Sequence, residues 1–260
     1  QFFPAVEARL GFGAWMRFPS LLWFGHSDFF LHLLCGLGVV MAVLLVVGFA
    51  PRVVLAGLWI TYLSLVVAGR DFLSFQWDML LLECGFLAIL FAPAQLQCQL
   101  IWRQGCSNVV LWMLRLLLFR LMFSSGVVKL CSGDSVRISL RALDYHYLTQ
   151  PLPTWTSWYA HHLPSWVHTL SVGAMFAIEL VVPFAIFGPR KLRLLGMILL
   201  VSLQVLIGTT GNYGFFNLLT VALCITLLDD EHLAFIKELR MTPSVSGCSR
   251  VGGMLLWPLT

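Results

Sequence analysis

Seven apolar runs, separated by short polar breaks, set the pattern of this chain: 29–49, 53–68, 79–92, 109–130, 167–187, 194–210 and 215–228. A helix needs roughly 20 apolar residues to cross a bilayer. The pattern therefore predicts an all-α polytopic membrane bundle of about seven segments. Several runs fall short of that length, and 79–92 and 215–228 could instead be re-entrant or buried. Pro51 and Arg52 mark one tight turn, and Gly211-Asn212-Tyr213-Gly214 another. Residues 1–28 are amphipathic and aromatic (Trp15, Phe18, Trp23, Phe24), which suits the membrane interface. Residues 131–166 are too polar to span and read as one long aromatic loop. Asp229, Asp230 and Glu231 open an amphipathic helix, since acidic residues suit a helix N-terminus. From Pro243 the chain turns to Ser, Gly and Pro and reads as a disordered tail. The organisation expected is thus 1–28, 29–130 with four segments, the 131–166 loop, 167–228 with three segments, and 229–260.

Composition strengthens this reading. Hydrophobic residues make up 59% of the chain and charged residues 11%, against about 25% charged in a soluble domain. The net charge of +4 is scattered, and no Lys/Arg run invites nucleic acid. The seven cysteines (Cys35, Cys84, Cys98, Cys106, Cys131, Cys224, Cys248) show no CxxC pair, and an odd count argues against a disulfide framework. A Cys98–Cys106 bridge within one loop stays open. The chain begins with Gln and carries no signal peptide, which reads as a truncated start. Lys and Arg favour cytoplasmic loops, so Arg190, Lys191 and Arg193 place their loop there. Alternation then puts Arg52 and Arg103 on the same side. Arg70, Asp71, the N-terminus and the 131–166 loop fall on the lumenal or periplasmic side.

Charges within apolar runs are costly and usually pair inside a bundle. They are Glu83, Arg115, Arg120, Lys129 and Glu179. Counting ~1.5 Å per residue sets Glu179 level with the gap between Arg115 and Arg120, and Glu83 nearer Arg120 and Lys129. The fourth segment is then central and takes carboxylates from the third and fifth. Structural ion pairs, with Arg115 and Lys129 snorkelling outward, and a proton relay or buried polar cavity are the two readings.

The loop concentrates candidate chemistry. Asp144, Tyr145, His146 and Tyr147 are consecutive, followed by Thr149, Gln150, Pro151, Leu152 and Pro153. The prolines favour extended backbone before them. Trp155, Trp158, Tyr159 and Trp166 can form an interfacial belt. Asp144 and His146 could be the base and orienter of a hydrolase, but no GxSxG elbow accompanies them. His146, His161 and His162 could hold zinc, though without a familiar ligand spacing. An ordered interfacial cap is the bland alternative, and a client-binding surface the intermediate one.

At these residues the chain resembles the lipase maturation factor family. The matching blocks are FLSFQWDMLLLE at 72–83, LLFRLMFSSGVVKL at 117–130, ALDYHYLTQPLPTWTSWYAHHLP at 142–164, FAIELVVPF at 176–184 and GNYGFFNLLT at 211–220. Some wording is similar to bacterial-type members. Arg137 stands where the family usually has Trp, Leu148 where it has Glu, and 135–141 is atypical. The resemblance implies a non-catalytic, chaperone-like membrane protein that aids folding, assembly and secretion of lipases. It implies a secreted lipase client met on the lumenal side, no cofactor and no metal. It also implies the endoplasmic reticulum membrane in a eukaryote, or the inner membrane in a bacterium. Asp144, Tyr145, His146, Tyr147, Thr149, Gln150, Pro151, Pro153 and Trp158 become the expected client-binding residues. A distant likeness to the membrane region of vitamin K-dependent carboxylases keeps a membrane oxidoreductase or lipid-modifying enzyme as the alternative.

Overall fold

The computed structural model describes residues 2–25, 27–94 and 107–229. Residues up to Leu227 form one compact unit. Among the described residues every regular element is helical. An apolar chain in lipid has no water for its peptide groups, and a helix satisfies them within itself.

Two short helices, α1 (Phe2–Leu10) and α2 (Gly13–Arg17), precede α3 (Asp28–Val47). Ser27 caps α3 by accepting from the Phe30 N–H, and Gly48 ends it with φ +82°, a left-handed turn that glycine adopts freely. Pro51 then starts α4 (Pro51–Gly69) at its first position, where no N–H is needed. A 3-10 turn prolongs α4 to Leu73. Next come α5 (Gln76–Phe91) and α6 (Asn108–Cys131). The segment expected as a loop is instead three short helices: α7 (Ser135–Ile138), α8 (Ala142–Thr149) and α9 (Trp155–His161). The polar residues there break membrane-length hydrophobicity without breaking helicity, and Pro151 and Pro153 only separate α8 from α9. Then follow α10 (Ser165–Leu180), a 3-10 stretch Val182–Phe187, α11 (Arg190–Thr210) and α12 (Phe216–Ile225). Pro183 lacks an N–H for the Glu179 carbonyl, so α10 tightens there.

Among the described residues, five helices are long and apolar enough to cross a membrane: Asp28–Val47, Pro51–Leu73, Asn108–Cys131, Ser165–Phe187 and Arg190–Thr210. The runs at 79–92 and 215–228 become the shorter α5 and α12, of 16 and 10 residues. Arginines hold their C-terminal carbonyls, the acceptors a helix leaves open. Arg52 donates to Ala92 O after α5 at 2.9 Å. Arg115 donates to Thr226 O and Arg193 to Leu227 O after α12, both at 3.0 Å. At the other end of α5, Asp78 is 1% exposed. It reaches back to the Phe75 N–H at 3.2 Å and accepts from Tyr62 OH on α4 at 2.5 Å. Asp78→Ala orphans both donors and is expected to destabilise the bundle by about 2–3 kcal/mol. The matching measurement is a drop in melting temperature in detergent, larger than for Asp78→Asn.

The core sits around α6. Leu114, Leu117, Leu118 and Met122 pack with Leu80 and Leu87 of α5, Ile186 of the 3-10 stretch, Leu200 and Leu203 of α11, and Leu223 and Cys224 of α12. The expected Cys98–Cys106 loop and the 229–260 helix and tail lie outside the described residues, apart from Asp229. Cys35, Cys84, Cys131 and Cys224 are free thiols.

Candidate functional site

Two polar layers lie along the C-terminal half of α6 and beyond its end. The lower one is an ion-pair layer on α6. Lys129 pairs with Glu179 of α10, whose side chain is 3% exposed, and Arg120 pairs with Glu83 of α5 on the surface. Ser125 Oγ adds a bond to Glu179 at 3.3 Å. Gly126 allows this approach: a Cβ there would lie 3.1 Å from Glu179 Cβ and 2.7 Å from Leu180 Cδ2. Glu179 Oε2 and Gln204 Oε1 are buried without a hydrogen-bond partner among the described residues.

Glu179 therefore sits higher than the sequence count placed it, beside Lys129 and not between Arg115 and Arg120. Two causes add. The Phe187 ring packs against Trp112 and Phe119, so the end of α10's span meets α6 well inside its start, not at it. The 3-10 stretch then rises ~2.0 Å per residue instead of ~1.5 Å. Arg115 does not snorkel outward either: it is 7% exposed, with its guanidinium 5.5 Å from the Trp112 ring.

Above this layer α7, α8 and α9 form a cap. Its inward residues are the polar ones. Asp144 Oδ1 meets His168 Nδ1 of α10 at 2.7 Å, and Arg141 Nε donates to Asp144 Oδ2 at 3.2 Å. His168 Nε2 faces Ala160 O of α9 at 2.9 Å. A carbonyl only accepts, so Nε2 is the donor of that bond. One buried ring thus ties α8, α9 and α10 together. The His168 hydrogen bond, with Arg141 adding to it, holds the Asp144 carboxyl below the usual carboxylate range. His146 turns to Tyr213 OH at 3.2 Å. Burial, and then the charge of Lys129, depress its pKa, while burial raises Tyr147 and Tyr213.

The cap also closes α11. The last carbonyls of that helix are open acceptors. Gln150 Nε2 donates to Thr210 O at 3.2 Å, Thr154 Oγ1 to Thr209 O at 2.9 Å, and Thr156 Oγ1 to Thr209 O as well. Gly214, at φ +57°, turns the chain so that Tyr213 can reach His146.

Asp144 and His146 do not pair, which removes the base–orienter geometry of a hydrolase. His146 lies at Tyr213, whereas His161 and His162 stack edge-on at 5.4 Å. Among the described residues no three His, Cys, Asp or Glu come together as a metal site. Of the expected client residues, Asp144, His146, Tyr147 and Gln150 turn inward. Tyr145, Thr149, Pro151, Pro153 and Trp158 are exposed. His168 was not singled out from the sequence. It stands in the first turn of an apolar run, and its only signal is a lone imidazole just past a motif carrying an unpaired aspartate.

Acidification should loosen this cap. A docked His146 resists protonation, so the undocked state binds more protons below about pH 6.5, the ordinary histidine value. Cap stability is then complete above that pH and falls as pH drops toward the depressed docked value. Asp144 adds a second loss only at lower pH, below the usual carboxylate value of 3.8. Hydrogen-exchange protection across 142–162, taken relative to the intrinsic rate at each pH, should fall between pH 7.5 and 5.5, and His146→Gln, which keeps a partner for Tyr213, should flatten that change.

These features define an integral membrane helical bundle closed at one end by a polar-cored, apolar-faced cap. The chain belongs to the lipase maturation factor family: the model described as "Lipase maturation factor transmembrane domain" matches residues 6–235. It is 46% identical to Lipase maturation factor 2 of Xenopus laevis over 252 residues, 91% of this chain and 35% of that protein. Human Lipase maturation factor 2 is 46% identical over 86% of this chain and 34% of its own length. Mouse Lipase maturation factor 1 is 35% identical over 88% of this chain and 41% of its own length. The chain thus spans about a third of the length of the first two. No solved structure matches it.

Proposed function

We propose that this chain is the membrane portion of a non-catalytic maturation factor that helps secreted lipases fold and assemble. The carrying observation is the family membership together with a cap whose polar groups are spent on its own docking. Such groups hold a shape, whereas an enzyme would leave an acid or base facing a substrate cleft. The cap offers the client an apolar outer patch on α7, α8 and the turn after it: Ile138, Tyr145, Leu148 and Leu152 are all more than half exposed. Pro151 and Pro153 stiffen that turn, so little ordering entropy is lost on contact.

Seven membrane segments fit best, with α5 and α12 returning the chain to the face where α4 and α11 begin; the Arg52–Ala92 and Arg193–Leu227 bonds support this reading. With Arg190, Lys191 and Arg193 cytoplasmic, the cap is lumenal in the endoplasmic reticulum, where secreted lipases fold.

The test is a secretion assay. Cells lacking their own maturation factor co-express a dimeric lipase with this chain, alone or joined to a family C-terminal region. Lipase activity per unit of secreted lipase mass should rise several-fold, and Tyr145→Ala with Leu152→Ala should lower it without changing membrane insertion. No rise with either form overturns the role for this chain.

A further inference from the structure

The cap has a second exposed face, and it differs in kind from the first. Trp155, Trp158, Tyr159 and His162 recur at helical spacing on one side of α9, opposite the buried Ser157. Leu163 and Trp166 continue this face, with Trp155, Trp158, Tyr159 and Trp166 each more than 60% exposed. The rings brace one another edge-on, Trp158 to Tyr159 at 5.1 Å and Trp155 to Tyr159 at 6.3 Å.

We propose that this α9 face lies in the headgroup layer of the membrane leaflet on the cap side, so that its partner is phospholipid and not the client. Three observations carry this. The face continues into the lipid-facing stripe of α10: Trp166 is followed on the same side by the exposed Leu170, Ala174, Ala177 and Val181. Its depth is fixed, because Thr154 and Thr156, flanking Trp155, are bonded to Thr209 O at the end of α11. The exposed Leu206 lies one turn below that carbonyl, about 5 Å along the axis. The interfacial layer outside the hydrocarbon core is roughly 5–7 Å thick on each side, so the rings fall within it. The face also carries no Asp, Glu, Lys or Arg, whereas the α7–α8 patch is rimmed by the exposed ion pair Arg137–Asp134 and by the exposed Arg141. Trp and Tyr, apolar rings with one polar atom, favour that layer. Trp158 therefore leaves the set of client residues and becomes an anchor that sets the height and tilt of the cap.

The experiment uses the full chain in phosphatidylcholine vesicles with no lipase present, so it is independent of the maturation assay. A photoreactive benzoylphenylalanine is placed at Trp158 in one sample and at Leu148 in another. Irradiation should give a phospholipid adduct at position 158 and little or none at 148. A second measurement needs no crosslinker: lipids brominated near the headgroup should quench the native tryptophans, and W155F/W158F should lose a clear share of that shallow quenching. Equal lipid adducts at the two positions, or shallow quenching unchanged in the double variant, would overturn the proposal. So would a lipase adduct at position 158 in secreting cells.

Discussion

Lys129→Met is expected to destabilise the bundle by about 3–5 kcal/mol, the usual result of leaving one member of a buried ion pair alone. Glu179 is almost fully enclosed, and Oε1 takes its bonds from Lys129 and Ser125. Oε2 has no partner among the described residues. Without the ammonium, the carboxylate must stay charged in a low dielectric, take up a proton or draw in water. The decisive comparison is with Lys129→Met/Glu179→Leu. Removing both charges also removes the desolvation cost, so the double variant should regain most of the loss in a detergent melting series. If the double variant is no better than the single one, the pair is not what the stability depends on.

His168→Ala should undock the cap while leaving the membrane helices in place. The ring is 3% exposed and bonded on both sides. Its loss takes one hydrogen bond from Ala160 O and one from the Asp144 carboxyl, and leaves a void under α9. A local cost of roughly 2–3 kcal/mol follows from the unmade bonds, which is about a 30- to 160-fold loss of exchange protection across 142–162. Secreted lipase activity should fall with it. Asp144→Asn should act in the same direction, and Asp144→Asn/His168→Ala should be little worse than His168→Ala, since both act on one contact. Additive effects would mean that Asp144 has a separate task.

What the sequence made legible was whatever depends on long-range composition. Runs as apolar as 29–49 or 194–210 can only be membrane helices, and the five blocks of family wording identified the chain. The charges of α6 stood out because an apolar run cannot hide Arg or Lys. The cap was less legible. Helices of four to eight residues are too short for a periodic pattern to separate them from a loop. The height of Glu179 was missed because a rise per residue fixes position along one helix, not the offset between two. That offset is set by Phe187 packing between Trp112 and Phe119, a contact no single segment encodes. His168 was missed for a related reason: its partners, Asp144 and Ala160, belong to other helices.

The bonds from Gln150, Thr154 and Thr156 to the end of α11 also impose an order in time. Gln150 and Thr154 are synthesised 60 and 55 residues before the carbonyls they need, at Thr210 and Thr209. Until α10 and α11 are both inserted, His146 has no Tyr213 and α9 has no floor. A nascent chain halted before position 210 should therefore hold α8 and α9 open to protease, and the same residues should become resistant once α12 is made. Cap closure then reports that the membrane portion has finished assembling.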